Sequence, residues 1–390
     1  MNNLSKTGIF TLLLISSLTI MVGTVIAPSL TEISKHLGFA GNPGWLITLP
    51  SLGVVLFAPV MGWLIDRKGA YIMICWGLIP YALFGVLGAL LHSPYLVIAD
   101  RILLGAATAA IQTSGTTLIA DLFDGEKRMK MIAWQGMAIE LGGVLFLSIG
   151  GLLGEQGWYF PFFIYLIALV CFVLVFISIP KLPLAPNVIE RSTSTNVSKG
   201  LITIVCSAVL AMILFFTAFT GLPVYLTHTF HFSESETGYL MAFISLIAVI
   251  AASQMPKIAG RLGNLYTVAW GFFFFMLGLA LFSMSSIVSL LIIGAIAMGI
   301  GFGFTVPLLN HMTVEESDPS NRGRYLGYFS IGIFGGQFLS SFINFLSSDS
   351  KTLFMIAALL SMTVACVIAL LARNRKLTAY SAPNMHQNIQ

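Results

Sequence analysis

Charge is scarce in this chain of 390 residues. Asp, Glu, Lys and Arg together make up 9% of it, against roughly a quarter in an ordinary soluble domain. So few charges cannot solvate the surface of a water-soluble globule, least of all when hydrophobic residues reach 57% and the mean hydropathy is +0.93. Cysteine is scarce too. Cys75, Cys171, Cys206 and Cys366 stand singly in apolar runs with no C-x-x-C spacing, so neither a disulfide framework nor a cysteine metal site is indicated, and the four read as inert packing residues. His36, His92, His228 and His231 fall at block ends or outer loops without metal-ligand spacing, and no metal is expected. Neither a G-x-S-x-G pattern nor a P-loop occurs, and no polar stretch is long enough for a nucleotide-binding domain. That speaks against an enzyme and against an ATP-driven pump, and no cofactor is expected. The net charge of +4 is scattered in ones to threes rather than gathered in a stripe, so nucleic acid is not an expected partner.

What the chain has in abundance is apolar blocks of spanning length, about twelve of them, such as Gly8 to Leu30 and Leu201 to Leu226. At a rise of 1.5 Å per residue each crosses a hydrocarbon core of roughly 30 Å, and a lipid-exposed backbone must satisfy its own polar groups as helix. The first block resembles a signal-peptide core in places, but it stays apolar to Leu30 and reads as an uncleaved span. Counted from an inside N-terminus, only Lys35 and Lys351 fall on the outer side and Arg101 falls within a span. The other sixteen of the nineteen Lys and Arg residues lie in inside connections. This asymmetry predicts an all-α polytopic membrane protein with both termini cytoplasmic, placed in the bacterial cytoplasmic (inner) membrane with the bilayer as its first partner.

The longest polar interruption, with Pro183, Pro186 and Ser192 to Asn196, reads as a linker at 181–200. It divides a six-helix half at 1–180 from a second at 201–376, with a tail at 377–390. Sliding the second half back by 194 positions lays Arg261 on Arg67, Gly263 on Gly69, Arg322 on Arg128, Gly299 on Gly105 and Gly336 on Gly142 without a gap. Together with the matching loop order, this favours two parallel repeats related by an axis along the membrane normal.

In the short turn after the second span stands Gly62-Trp63-Leu64-Ile65-Asp66-Arg67-Lys68-Gly69. Gly62 would let helices approach closely, Gly69 would permit the tight turn, and Asp66 could meet a cation or a helix N-terminus of the other half. The segment resembles the G-x-L-a-D-R-x-G signature of the major facilitator superfamily, with Gly62, Leu64, Asp66, Arg67 and Gly69 matching, although Ala70 and Tyr71 replace the following basic pair. The resemblance implies the twelve-helix fold of two six-helix repeats, and a conformational latch at Gly62, Asp66, Arg67 and Gly69 that holds the outward-facing state. Asp100-Arg101 to Gly105 resembles the family's R-x-x-x-G on the fourth span. The drug/proton antiporter signature G-x-x-x-G-P-x-x-G-G on the fifth span is met only at Gly142, Gly150 and Gly151, because Phe146 and Leu147 stand where Gly and Pro belong.

One carboxylate lies deep in a span. Glu140 is roughly 14 Å from the inner surface. Arg101 lies roughly 9 Å below the outer surface and within about 6 Å of the depth of Glu140. Burial disfavours a charged carboxylate while a nearby arginine favours it, so a Glu140–Arg101 relation would make a titratable switch. Glu140, Arg101 and Asp100 are therefore the proton-coupling candidates. The alternatives are a hydrogen-bonded structural glutamate, and an arginine snorkelling to the outer headgroups beside Asp100.

In the resembled family the first, fourth, seventh and tenth spans line a central cavity. These spans offer Thr24, Gln112, Thr113, Thr116, Thr217, Thr220, Asn310 and His311 as polar groups, and Phe216 among its neighbours as apolar wall. That mixture suits an amphipathic organic solute better than a sugar. The expectation is a monomeric, proton-coupled exporter of a small amphipathic compound such as a drug or siderophore. An importer or uniporter on the same fold, and a membrane-embedded sensor without transport, remain open beside it.

Overall fold

The computed structural model describes residues 4–39, 42–181, 198–317, 322–343, 345–347 and 349–381. They form α1 (Lys6–Thr24), α2 (Leu30–His36), α3 (Trp45–Lys68), α4 (Ala70–Leu87), α5 (Pro94–Leu122), α6 (Gly125–Gln156), α7 (Ile167–Ser178), α8 (Lys199–Tyr225), α9 (Glu234–Leu262), α10 (Asn264–Met284), α11 (Val288–Glu315), α12 (Arg322–Ile343) and α13 (Ser350–Ser381). A 3₁₀ turn at Phe160–Leu166 runs directly into α7. Twelve of these segments are long and apolar enough to cross a membrane; the short α2 is not one of them.

The expected first block, Gly8 to Leu30, is shorter as a helix. α1 stops at Thr24 because Pro28 has no N–H to give and restricts Ala27 before it, and the apolar run resumes in α2. The expected linker at 181–200 lies mostly outside the described residues, with α8 beginning at Lys199 inside it. At the other end α13 continues to Ser381, past the expected boundary at 376.

The 194-residue repeat appears as repeated contacts. A side chain on Gly105 would run into the Pro50 carbonyl, and one on Gly299 would meet the Ile244 carbonyl at 2.7 Å; Pro50 and Ile244 are themselves 194 apart. Gly142 packs on Ser17 of α1 and Gly336 on Val209 of α8, the same fifth-on-first crossing in each half. The turn glycines match as well. Gly69 has φ 87° and ψ 148°, and Gly263 has φ 92° and ψ 151°. This region is closed to side chains, so both α3–α4 and α9–α10 reverse direction on a residue that only glycine supplies.

The halves touch through α6 against α9 and α3 against α12. Leu147 and Gly151 meet Gly238, Gly151 meets Glu234 and Ser235, Thr48 hydrogen-bonds Ser341, and Trp45 packs edge-on against Phe345. All of these lie toward the cation-poor end. Toward the cation-rich end, no atom beyond the local helix backbone lies, among the described residues, within 4 Å of where a Cβ would sit on Gly62, Gly136, Gly260 or Gly327. The molecule is closed at the cation-poor end and parted at the other.

Candidate functional site

Glu140 sits where that contact gives way. It shares a stripe of α6 with Gly136 and Gly143, one turn to either side. A Cβ on Gly143 would lie 3.5 Å from Ile20 of α1 and 3.7 Å from Ser245 Oγ of α9, whereas beside Gly136 there is open space. The Glu140 carboxyl has no hydrogen-bond or ionic partner among the described residues.

Arg101 does not join it. The guanidinium is 1% exposed and faces α4 and the 3₁₀ turn. Nε and Nη2 donate to Asp100 Oδ2 at 3.0 and 2.7 Å, and Nη2 donates to the Phe84 carbonyl at 2.9 Å. The Phe162 and Tyr165 rings lie beside it at 5.6 and 6.0 Å. The expected Glu140–Arg101 contact rests on similar depth on consecutive antiparallel helices. Depth does not fix helix rotation, and α6 packs on α1 and α9 while it barely touches α5. Asp100 is likewise turned into this pair rather than toward a cavity, and snorkelling is ruled out by the burial of both groups.

The arginine belongs to a brace within the first half. Phe84 is in the last turn of α4; its carbonyl takes only a long bond from the Gly88 N–H at 3.4 Å, and Arg101 adds a charged donor there, fastening the end of that helix. Beside it Tyr165 and Tyr81, 5.6 Å apart, donate to the Val22 and Leu18 carbonyls of α1. α1, α4, α5 and the 3₁₀ turn are thereby tied together through buried polar groups.

The cavity candidates divide by accessibility. Gln112 and Thr113 are half-buried, and Thr116 is exposed and accepts from Gln135 Nε2 at 3.3 Å. Gln135 of α6 also donates to Ser16 Oγ at 3.1 Å, and Gln112 Oε1, one turn of α5 before Thr116, is buried without a hydrogen-bond partner among the described residues. Gln135 and Ser16 are absent from the sequence-based candidates. The available signal is Gln135 as an amide five positions before Glu140 on an otherwise apolar stretch of helix. Thr24, Thr217 and Thr220 are buried, and each donates to the carbonyl four residues back in its own helix, so their donors are spent locally. Phe216 is buried in a ring cluster with Phe215 and Phe219, and the Phe302 ring lies tilted against Phe215 with centroids 4.5 Å apart. Asn310 and His311 are exposed near the cation-rich end of α11, and His311 Nε2 lies 3.1 Å from Glu315.

Of the residues expected to form a latch, Asp66 and Arg67 are exposed, and Asp66 has no partner among the described residues. Arg67 rests over the Trp63 ring at 3.9 Å. Gly62, expected to allow a close helix approach, has no atom of another element within 4 Å of where its Cβ would sit among the described residues, so no close approach is made there in this conformation.

The model of the Major Facilitator Superfamily matches residues 12–341 and, in a second match, 204–386. Over 143 residues the chain is 29% identical to quinolone resistance protein NorA of Staphylococcus aureus, covering 36% of this chain and 37% of the relative, so little more than a third of NorA's length is spanned. Multidrug resistance protein 2 of Bacillus subtilis is 26% identical over 267 residues, 66% of this chain and 67% of that one. The crystal structure of a mutant form of the nucleoside transporter NupG superposes with a TM-score of 0.78 at 15% identity, covering 93% of this chain and 99% of its own. That of the POT family transporter PepTSo superposes at 0.76 and 12%, covering 95% and 98%. These structural likenesses show a shared fold, and with twelve spans, a 194-residue repeat and a family match along most of its length, the chain belongs to the Major Facilitator Superfamily.

Proposed function

We propose that the chain is a secondary transporter, not an enzyme, that exports a small amphipathic organic compound from the bacterial cytoplasm in exchange for protons by alternating access. The observation that carries this reading is the position of Glu140: unpartnered, mid-span, and at the edge of the contact between halves. In this reading the cation-rich end is cytoplasmic, and the molecule faces inward. Closing that end would press α9 over Glu140. A bare carboxylate covered in this way costs several kcal/mol, about 2.5–3.5 on insertion scales for a charge at mid-span. A proton on Glu140, or a positively charged substrate beside it, removes that cost, so either can license closure but the empty ionised site cannot. That condition is what exchange requires. The names of the two relatives, quinolone resistance and multidrug resistance, support an efflux role, and Gln112, Thr116 and Gln135 supply hydrogen-bonding groups on the first-half side. Uptake into inside-out vesicles driven by a pH gradient, screened over lipophilic cations, siderophore-like chelates and sugars, tests it. A second reading, an importer or uniporter on the same fold, is favoured by Phe146 and Leu147 in the antiporter signature and predicts substrate entry without proton exchange.

The proposed topology gives a direct expectation. Labels at Ser194 and near the C-terminus should react only from the cytoplasmic side in sealed cells and vesicles. Reaction of the two from opposite faces would mean an odd number of spans and would end the two-repeat reading.

The register of α3 on α12 supports the latch reading of Asp66. Thr48 opposes Ser341 on antiparallel helices and Trp45 opposes Phe345 just past the end of α12, and carrying that register along sets Asp66 opposite Gly323 and Arg324, in the first turn of α12. Closure of the inner end thus brings a carboxylate to the positive end of a helix. Asp66→Asn should lower turnover several-fold while leaving substrate affinity in detergent unchanged, because the residue biases the conformational equilibrium without touching solute. Weakened binding with unaltered conformational populations would count against it.

A further inference from the structure

We propose that Glu155 is an outer latch: a carboxylate carried by the first half that clasps the N-terminus of α9 in the second half and holds the outer end shut. Glu155 Oε1 accepts the Ser235 N–H at 3.3 Å. Ser235 is in the first turn of α9, where backbone N–H groups have no intrahelical acceptors and the helix presents its positive end. α9 already caps itself in part. Ser233 Oγ accepts the Glu236 N–H at 3.2 Å and Glu236 Oε2 accepts the Ser233 N–H at 2.9 Å, a complete capping box. That box leaves the Ser235 N–H unserved, and its acceptor comes from the last turn of α6 across the boundary between halves.

The approach depends on glycine. A Cβ on Gly151 would lie 2.5 Å from the Glu234 carbonyl, and one on Gly154 would collide with Ser29 Oγ, so α6 can deliver Glu155 only because both positions are bare. The arrangement is not repeated by symmetry. Asp349, 194 positions after Glu155, caps α13 within its own half by accepting from Thr352 N and Oγ1 at 2.9 and 2.7 Å. Among the described residues the outer clasp is therefore an asymmetric device. It is the counterpart of Asp66 at the inner end, where closure would bring a carboxylate of the first half to the start of α12. In the inward-facing molecule the Glu155 clasp is made and the Asp66 one is not, so each latch holds one of the two states of the cycle.

The inference rests on the alternating-access reading, but its test needs neither substrate nor a proton gradient, so failure of export or of Glu140 coupling would leave it standing. Tyr95 and Ile287, 83% and 56% exposed, lie at the outer ends of the two halves, away from the clasp. They would be changed to Cys in a chain whose four native cysteines are replaced by Ala, spin-labelled, and measured by double electron–electron resonance in lipid nanodiscs at pH 8 and low salt. Glu155→Ala should raise the ratio of outer-open to outer-closed molecules about two- to five-fold, the range for an exposed charge at a helix N-terminus. Glu155→Gln keeps an acceptor but loses the charge, so its shift should be smaller and should vanish in about 0.5 M salt, where the native charge is screened as well. Distance distributions identical to the parent in both variants would overturn the proposal, as would a Gln shift that persists unchanged in high salt.

Discussion

Glu140→Gln is expected to abolish accumulation driven by a pH gradient, by tenfold or more, while downhill exchange of substrate stays measurable. Gln keeps the shape of the side chain and removes its titration. The inner end can then close over a neutral group whether or not a proton has bound, and the cost of covering a charge no longer ties closure to protonation. Exchange survives because it needs only the cavity and the rocking of the halves. The geometry sharpens the expectation. Gly143 beside Ser245 on one side and open space beside Gly136 on the other place Glu140 where closure changes its surroundings most. Asp100 cannot stand in for it, since one of its oxygens is held by Arg101 inside the first half. Gradient-driven uptake by inside-out vesicles, followed in parallel with counterflow in the same preparation, separates the two quantities. Full accumulation by the Gln variant would mean that proton coupling runs elsewhere or does not exist.

The parts of this architecture legible in the sequence are those fixed along a single helix or by an impossible side chain. Spans follow from length and apolarity because lipid leaves a helix no other partner for its backbone. Gly69 and Gly263, or Gly105 and Gly299, are readable because a conformation or a close crossing admits only glycine there. The site is readable only in part. Glu140 stands out as a lone deep carboxylate, but its neighbours depend on how α6 is rotated against α1 and α9, and periodicity on so apolar a helix carries little rotational signal. The same limit sets Arg101 beside Glu140 in the sequence reading, when it faces α4 and the 3₁₀ turn instead. Thr217 and Thr220 are cavity candidates by residue type, yet in a membrane helix a threonine hydroxyl satisfies itself on the preceding turn. Glu155 gives no signal at all, since its partner is a backbone N–H eighty positions away.

Arg101→Met is expected to cost the folded protein far more than a surface change, and Asp100→Leu with Arg101→Met is expected to restore most of the loss. The single change strands Asp100 as an uncompensated charge, 5% exposed, and breaking a buried pair from one side costs about 3–5 kcal/mol. Removing both charges leaves no such residue, and well-packed apolar replacements of a buried pair are often neutral; the remaining loss is the hydrogen bond to the Phe84 carbonyl, about 1 kcal/mol. Arg101→Lys should behave like the Met variant. One ammonium cannot meet Asp100 through two nitrogens and also cap α4, as the guanidinium does with Nε and Nη2. Melting temperature and the monodisperse fraction in detergent measure stability, and vesicle transport by the double variant decides the role. If Arg101 and Asp100 form a brace that lets the first half rock as one body, the double variant should transport at close to the parent rate with its pH dependence intact. A double variant that is as stable as the parent but has lost gradient-driven transport would return both residues to the coupling pathway.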